Sequence, residues 1–309
     1  MRLASAVGTL GIGLLLAAPA MAGEIHHYAS TGKTAQVEAL LRGGVSPDKP
    51  DEKGRTPLYF AAVNKHPDVV RVLLDKGADP NIPTPEARTP LLAAALNGSA
   101  EVVQMLIDKG ADLEAAADLR FTALHCAAQE GHQAIAEMLL AKGANPRAKD
   151  ESADSPLHIA AQNGRAGIVT LLLDKGVDPN IRNAKGQGPI FNAAANGHVD
   201  VARALLDKKA VLTSRDTLWG NALNAAAYKG QVAVAELLIA RGAPLETERL
   251  GETPLKIAID KGHVEFVRLL VAKGAKVNAT VPGAESPLAA ATKAGNAEII
   301  AILKAGGAK

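Results

Sequence analysis

Residues 122–131 read TALHCAAQEG, and residues 155–164 read SPLHIAAQNG. The two stretches align position by position at a spacing of 33 residues. The same register extends in both directions. Thr56-Pro57-Leu58 and Thr89-Pro90-Leu91 precede it, and Gly188-Pro189-Ile190 and Asn221-Ala222-Leu223 follow it. Thr253-Pro254-Leu255 arrives one residue early, and Ser286-Pro287-Leu288 resumes the period. A fixed period of this length marks a chain built from stacked copies of one supersecondary unit.

Each position within the unit has a physical task. Threonine or serine caps a helix by accepting a hydrogen bond from its unpaired amides. Proline fits the first turn, where its missing N–H costs nothing. The alanine pair lets neighbouring helices approach closely. A glycine nine positions after the cap, as at Gly98, Gly131, Gly164, Gly197, Gly230, Gly262 and Gly295, turns the chain into a second helix. Aliphatic stretches such as VVRVLL from Val69 supply that helix with a core face at helical spacing. A second glycine (Gly77, Gly110, Gly143, Gly176) permits the left-handed residue that ends it. A turn-rich segment such as DEKGR, Asp51 to Arg55, leads to the next cap.

These motifs resemble the ankyrin repeat from Gly23 to Lys309. Nine units are expected, near residues 23–55, 56–88, 89–121, 122–154, 155–187, 188–220, 221–252, 253–285 and 286–309. The resemblance implies an all-α solenoid of helix-turn-helix repeats with projecting hairpin fingers. It also implies an extended concave surface that binds protein partners. A monomer is expected.

The first 22 residues, MRLASAVGTLGIGLLLAAPAMA, follow another rule. One basic residue, an apolar run, Pro19 and the triplet Ala20-Met21-Ala22 predict a secretory signal peptide cleaved after Ala22. No cysteine near that site offers a lipid attachment point. The mature protein is therefore expected in a bacterial periplasm, or secreted, and free of the membrane.

Over the whole chain, 48% hydrophobic and 21% charged content describes a globular protein. A net charge of +2 gives no electrostatic case for nucleic acid. The single cysteine, Cys126, excludes an internal disulfide and is expected to be a small buried apolar residue. Thr31-Gly32-Lys33-Thr34 has the ending of a phosphate-binding loop, but the position five before Gly32 is His27, so an interhelical turn is expected. His125 and His158 fall where the resemblance implies a structural bond near the cap. His66, His132, His198 and His263 follow or replace the turn glycine, and His26 and His27 diverge on one helix surface. Neither set has the spacing of a metal site. No nucleophile–base arrangement is legible, so neither catalysis nor a cofactor is expected.

Partner contacts are expected where repeats are free to vary, in the fingers and just before the turn glycine. Those positions include Glu52, Lys53, Arg55, Val63 and Asn64; Glu86, Arg88 and Asn97; Asp118, Gln129 and Glu130; and Asp150, Glu151 and Asp154. Two apolar groups stand out among them. Leu119 and Phe121 form one. Leu218, Trp219 and Tyr228, ringed by Lys229, Arg249 and Glu252, form the other, in repeats that also replace a helix-ending glycine with Lys209. Tryptophan and tyrosine are enriched at the centres of binding sites. Competing expectations for the partner are a delivered toxin, blocked by an immunity-type inhibitor, and a periplasmic stress-defence enzyme under regulation.

Overall fold

The computed structural model describes residues 18–213, 220–247, 252–278 and 285–309, with side chains from Glu24 onward. Leu218, Trp219 and Arg249 lie outside the described residues. The chain forms two compact units, residues 1–118 and 119–309.

The first unit contains three helix pairs: α1 (Ala18–Ser30) with α2 (Thr34–Arg42), α3 (Pro57–Val63) with α4 (Pro67–Asp75), and α5 (Pro90–Asn97) with α6 (Ala100–Asp108). The second contains six. They are α7 (Ala123–Glu130) with α8 (Gln133–Ala141), α9 (Pro156–Gln162) with α10 (Ala166–Asp174), and α11 (Pro189–Asn196) with α12 (Val199–Asp207). The last three pairs are α13 (Ala222–Lys229) with α14 (Val232–Ala240), α15 (Pro254–Asp260) with α16 (Val264–Ala272), and α17 (Pro287–Lys293) with α18 (Ala297–Ala305). Within each unit, first helices pack on first helices and second on second.

The caps explain where the first helices begin. Thr56, Thr89, Thr253 and Ser286 each accept from the amide three residues on, at 3.2–3.3 Å. Asn221 does the same for Asn224 at 3.0 Å. The alanine pairs Ala127-Ala128, Ala160-Ala161 and Ala193-Ala194 are wholly buried, which brings consecutive first helices into close contact. Leu124, Leu139, Leu157, Leu172, Leu205 and Leu238 fill the space behind them at no more than 1% exposure. Burying one such side chain stabilises by roughly 1.5–3 kcal/mol.

His125 and His158 tie three segments together. His125 Nδ1 accepts from the Thr122 amide at 3.3 Å, while its Nε2–H donates to the Asp154 carbonyl at 3.2 Å. His158 repeats the pattern with Ser155 at 3.1 Å and Gln187 at 3.0 Å. Each ring thus joins its own cap to the finger 29 residues on, as one neutral tautomer with both nitrogens satisfied. Asn224 takes this position in its repeat and donates to the Thr247 carbonyl at 3.3 Å.

The turn histidines have a task that periodicity alone did not reveal. The Nε2–H of His66, His198 and His263 donates to the carbonyls of Ser30, Gln162 and Tyr228, at 3.0, 2.9 and 3.2 Å. Arg165 and Gln231 do likewise to Gln129 and Ala195. These carbonyls end first helices and have no intrahelical partner. The turn side chain of one repeat therefore completes the helix of the repeat before it. The turn glycines leave room for these side chains: a Cβ at Gly164 would lie 2.7 Å from His198 Nδ1, and one at Gly230 2.8 Å from His263 Nδ1.

A second staple runs along the other side. Asn81 donates to the Gly110 carbonyl and accepts from the Asp112 amide. Asn180 does the same with Lys209 and Val211, and Asn278 with Gly307 and Lys309. Lys209, where sibling repeats carry glycine, still adopts the left-handed conformation at φ 67°.

Burial holds the His125 and His158 imidazoles below their ordinary value near 6.5, outweighing the nearby carbonyls and Asp154 and Asp150. As pH falls, the unfolded chain takes up these protons before the folded one does. Their contribution is therefore complete above about pH 6.5 and declines below it. His158→Leu is expected to flatten part of that decline. It should also lower stability at neutral pH by about 1–3 kcal/mol, because a buried amide and a buried carbonyl lose their partner. Chemical unfolding between pH 4.5 and 8 measures both effects.

Candidate partner-binding surface

Finger geometry decides which candidates are free to reach a partner. The Asp51 carboxylate accepts from the Lys53 and Arg55 amides at 2.9 and 2.8 Å, folding its finger into a tight turn. Asp150 and Asn183 repeat that turn in their own fingers. Neighbouring fingers are joined by main chain: the Glu151 amide donates to the Leu119 carbonyl, and the Ala184 amide to the Ser152 carbonyl, both at 2.9 Å.

Several sequence candidates are consumed by this frame. Arg55 pairs with Asp51 at 2.7 Å and lies over the Phe60 ring at 4.5 Å. Partial burial pushes the Asp51 carboxyl up, but the Arg55 guanidinium and the two finger amides outweigh it and hold it low. Asn64 and Asn97 donate to the carbonyls of Phe60 and Val63. Asp150 forms its turn, and Asp154 accepts from Asn183 at 2.9 Å. These five are framework groups rather than free contact residues. Glu52, Lys53, Glu86, Arg88, Asp118, Glu130 and Glu151 are exposed, and Val63 and Gln129 are half-buried.

The two apolar candidates in the fourth repeat separate. Phe121 is half-buried, its ring 5.0 Å from that of His125, so it covers the buried histidine. Leu119 is 63% exposed and sits at φ 63°, followed by Arg120 at φ 61°. Two successive left-handed residues, neither of them glycine, are costly. The Glu151 bond to the Leu119 carbonyl holds them there, and the leucine stands out in solvent.

The second candidate group is built around Tyr228, 38% exposed at the end of α13. Lys261 places its Nζ 4.2 Å from the ring centroid, and Lys229 lies 6.0 Å away on the same ring. A cation over the face is attracted by the ring quadrupole, which fixes the phenol's orientation. The His263 bond to the Tyr228 carbonyl secures the backbone beneath it. Glu252 is exposed. Lys261 was not among the sequence candidates, although the 32-residue step of this repeat makes it the equivalent of Lys229 one repeat on.

In the first unit, a cavity of about 560 Å³ opens beside the first finger, lined by His26, His27, Lys49, Lys53, Arg55 and Phe60 among others. Among the described residues, no three of His, Cys, Asp and Glu gather as a metal site would require. None of the described helices is long and apolar enough to cross a membrane.

A family model described as ankyrin repeats, in three copies, matches residues 22–84, 81–150, 148–216 and 212–281. The chain belongs to the ankyrin repeat family. A crystal structure of the human ASB11 ankyrin repeat domain is similar to it, with a TM-score of 0.66 and 28% sequence identity. The similarity covers 71% of this chain and 98% of that domain. No curated protein matches the chain. Ankyrin repeats generally mediate protein–protein interaction and are not typically enzymatic. In this ankyrin repeat protein, Leu119 and Tyr228 are exposed large hydrophobic residues among the described ones, as are Leu96 and Val211.

Leu119→Gly removes the left-handed strain and is expected to stabilise the chain by about 1–2 kcal/mol. Thermal unfolding measures this. A lower midpoint would instead show that the leucine packs against its surroundings.

Proposed function

We propose that this ankyrin repeat protein is exported, loses residues 1–22, and holds a protein partner on the face made by its fingers and first helices. The observation that carries the contact site is the exposed Tyr228 ring with Lys261 over it at 4.2 Å and Lys229 at 6.0 Å. Sibling repeats place Gln129, Gln162 and Ala195 at the same position, so the framework does not demand an aromatic there. Leu218 and Trp219, outside the described residues, stand just before α13 in the sequence, and Arg249 and Glu252 stand between α14 and α15; all four are included in the proposed site. Export is supported by the Ala20-Met21-Ala22 motif and by a family match that starts at residue 22.

Capture from a periplasmic extract of the native host tests this reading. Wild type should retain a specific protein. Truncating a central aromatic typically costs ~2 kcal/mol or more, so Tyr228→Ala should bind it about 30-fold more weakly. Trp219→Ala should weaken binding similarly while leaving the unfolding midpoint nearly intact. Unchanged binding by both variants would remove the site. A partner held at nanomolar affinity or tighter would mark an inhibitor, and one near micromolar a scaffold. The intact mass of the exported protein should begin at Gly23; full-length chain recovered in membranes would defeat export.

A further inference from the structure

His26 occupies in the first repeat the position that His125 and His158 hold in theirs. Its Nε2–H donates to the Lys49 carbonyl at 2.7 Å, and its ring meets Phe60 edge-on at 5.8 Å. The ring is 7% exposed, and its Nδ1 is buried without a hydrogen-bond partner. In the sibling repeats that atom accepts from the backbone amide three residues earlier, the cap residue Thr122 or Ser155. Three residues before His26 stands Gly23. Here α1 begins at Ala18, so Gly23 lies inside the helix rather than at its cap. The acceptor is present, but its donor is committed to helix upstream.

Gly23 suits the missing role. Glycine is accepted at the cap position, and Gly188, five repeats on in the same register, caps α11 in extended conformation at φ −93° and ψ 167°. Cleavage after Ala22 would end the helix upstream of Gly23. It would free that residue's nitrogen to donate, and give it the freedom to turn into the extended cap geometry.

We infer that removal of residues 1–22 completes the first repeat: the new N-terminal nitrogen of Gly23 donates to Nδ1 of His26 and forms the cap that Thr122 and Ser155 form in their repeats. The bond is an N–H donation from an amine to a neutral imidazole, so no proton changes owner. The inference rests on the export reading for its cleavage point. Processing then does more than release the chain. It stabilises the end repeat, which has a neighbour on one side only, and couples the finished fold to the finished journey.

The test uses two chains of defined start, so its outcome does not depend on whether export occurs in cells. One is residues 1–309 made by cell-free synthesis without peptidase; the other begins at Gly23. Amide hydrogen exchange is followed at Ile25–Ala29. A cap contributes enough to slow exchange there about fivefold in the shorter chain. His26→Gln, whose side-chain oxygen also accepts, should keep the gain, and His26→Leu should lose it. The inference is overturned by equal protection in the two wild-type chains, or by a gain that survives in His26→Leu. Should His26→Leu leave the first repeat unfolded, the ¹⁵N shift of His26 Nδ1 decides instead. It should move on shortening the chain, and an unmoved resonance would sink the idea.

Discussion

In five of the described repeats, a carbonyl at the end of the first helix has no partner within the helix, and the next repeat supplies the donor. His66, Arg165, His198, Gln231 and His263 each reach back to the preceding first helix. A buried carbonyl without a partner costs about 1–3 kcal/mol. No helix pair of this size could meet that cost for itself, nor bury its own apolar face. Stability is therefore a property of neighbours. The alanine pairs, the close approach at Gly230 and the tolerance of variation in the fingers all follow from it.

Most of the fold was legible because its rules repeat. The 33-residue spacing of the cap triplets, the alanine pairs and the turn glycines fixed helix pairs, order and core faces without a structure. What the spacing could not show was where polar side chains point. Asp150 reads as a solvated finger residue and is spent on its own turn. Arg55 reads as a free cation and is tied to Asp51 and Phe60. Phe121 reads as a partner for Leu119 and instead covers His125. A finger residue's role depends on whether an amide two or four positions away needs an acceptor, and composition carries no record of that. Tyr228 was legible as an aromatic out of place, while Lys261, the next repeat's equivalent of Lys229, became visible only when the fold laid its side chain over that ring.

The contact surface follows from this division of labour. Side chains that build fingers are held by backbone amides, so they leave little freedom for partner recognition. The residues that remain, such as Leu119 and Tyr228, are presented on a frame that is already rigid. On the proposed reading, binding through them would lose little conformational entropy, which favours tight capture from a small number of anchors. In the Leu119 segment the frame even tolerates left-handed backbone at two ordinary residues, a local cost of the kind that concentrates where a protein meets its ligand.

The two edges of the stack are held by different physics. First helices are linked by hydrogen bonds to backbone carbonyls, whereas second helices are linked by exposed ion pairs such as Lys208–Asp174 and Arg241–Asp207. Dissolved salt screens exposed charges strongly and leaves short neutral hydrogen bonds nearly untouched. A rise in ionic strength therefore weakens the exposed pairs, each a small contribution, while the buried leucines and the asparagine bonds keep the second helices in register.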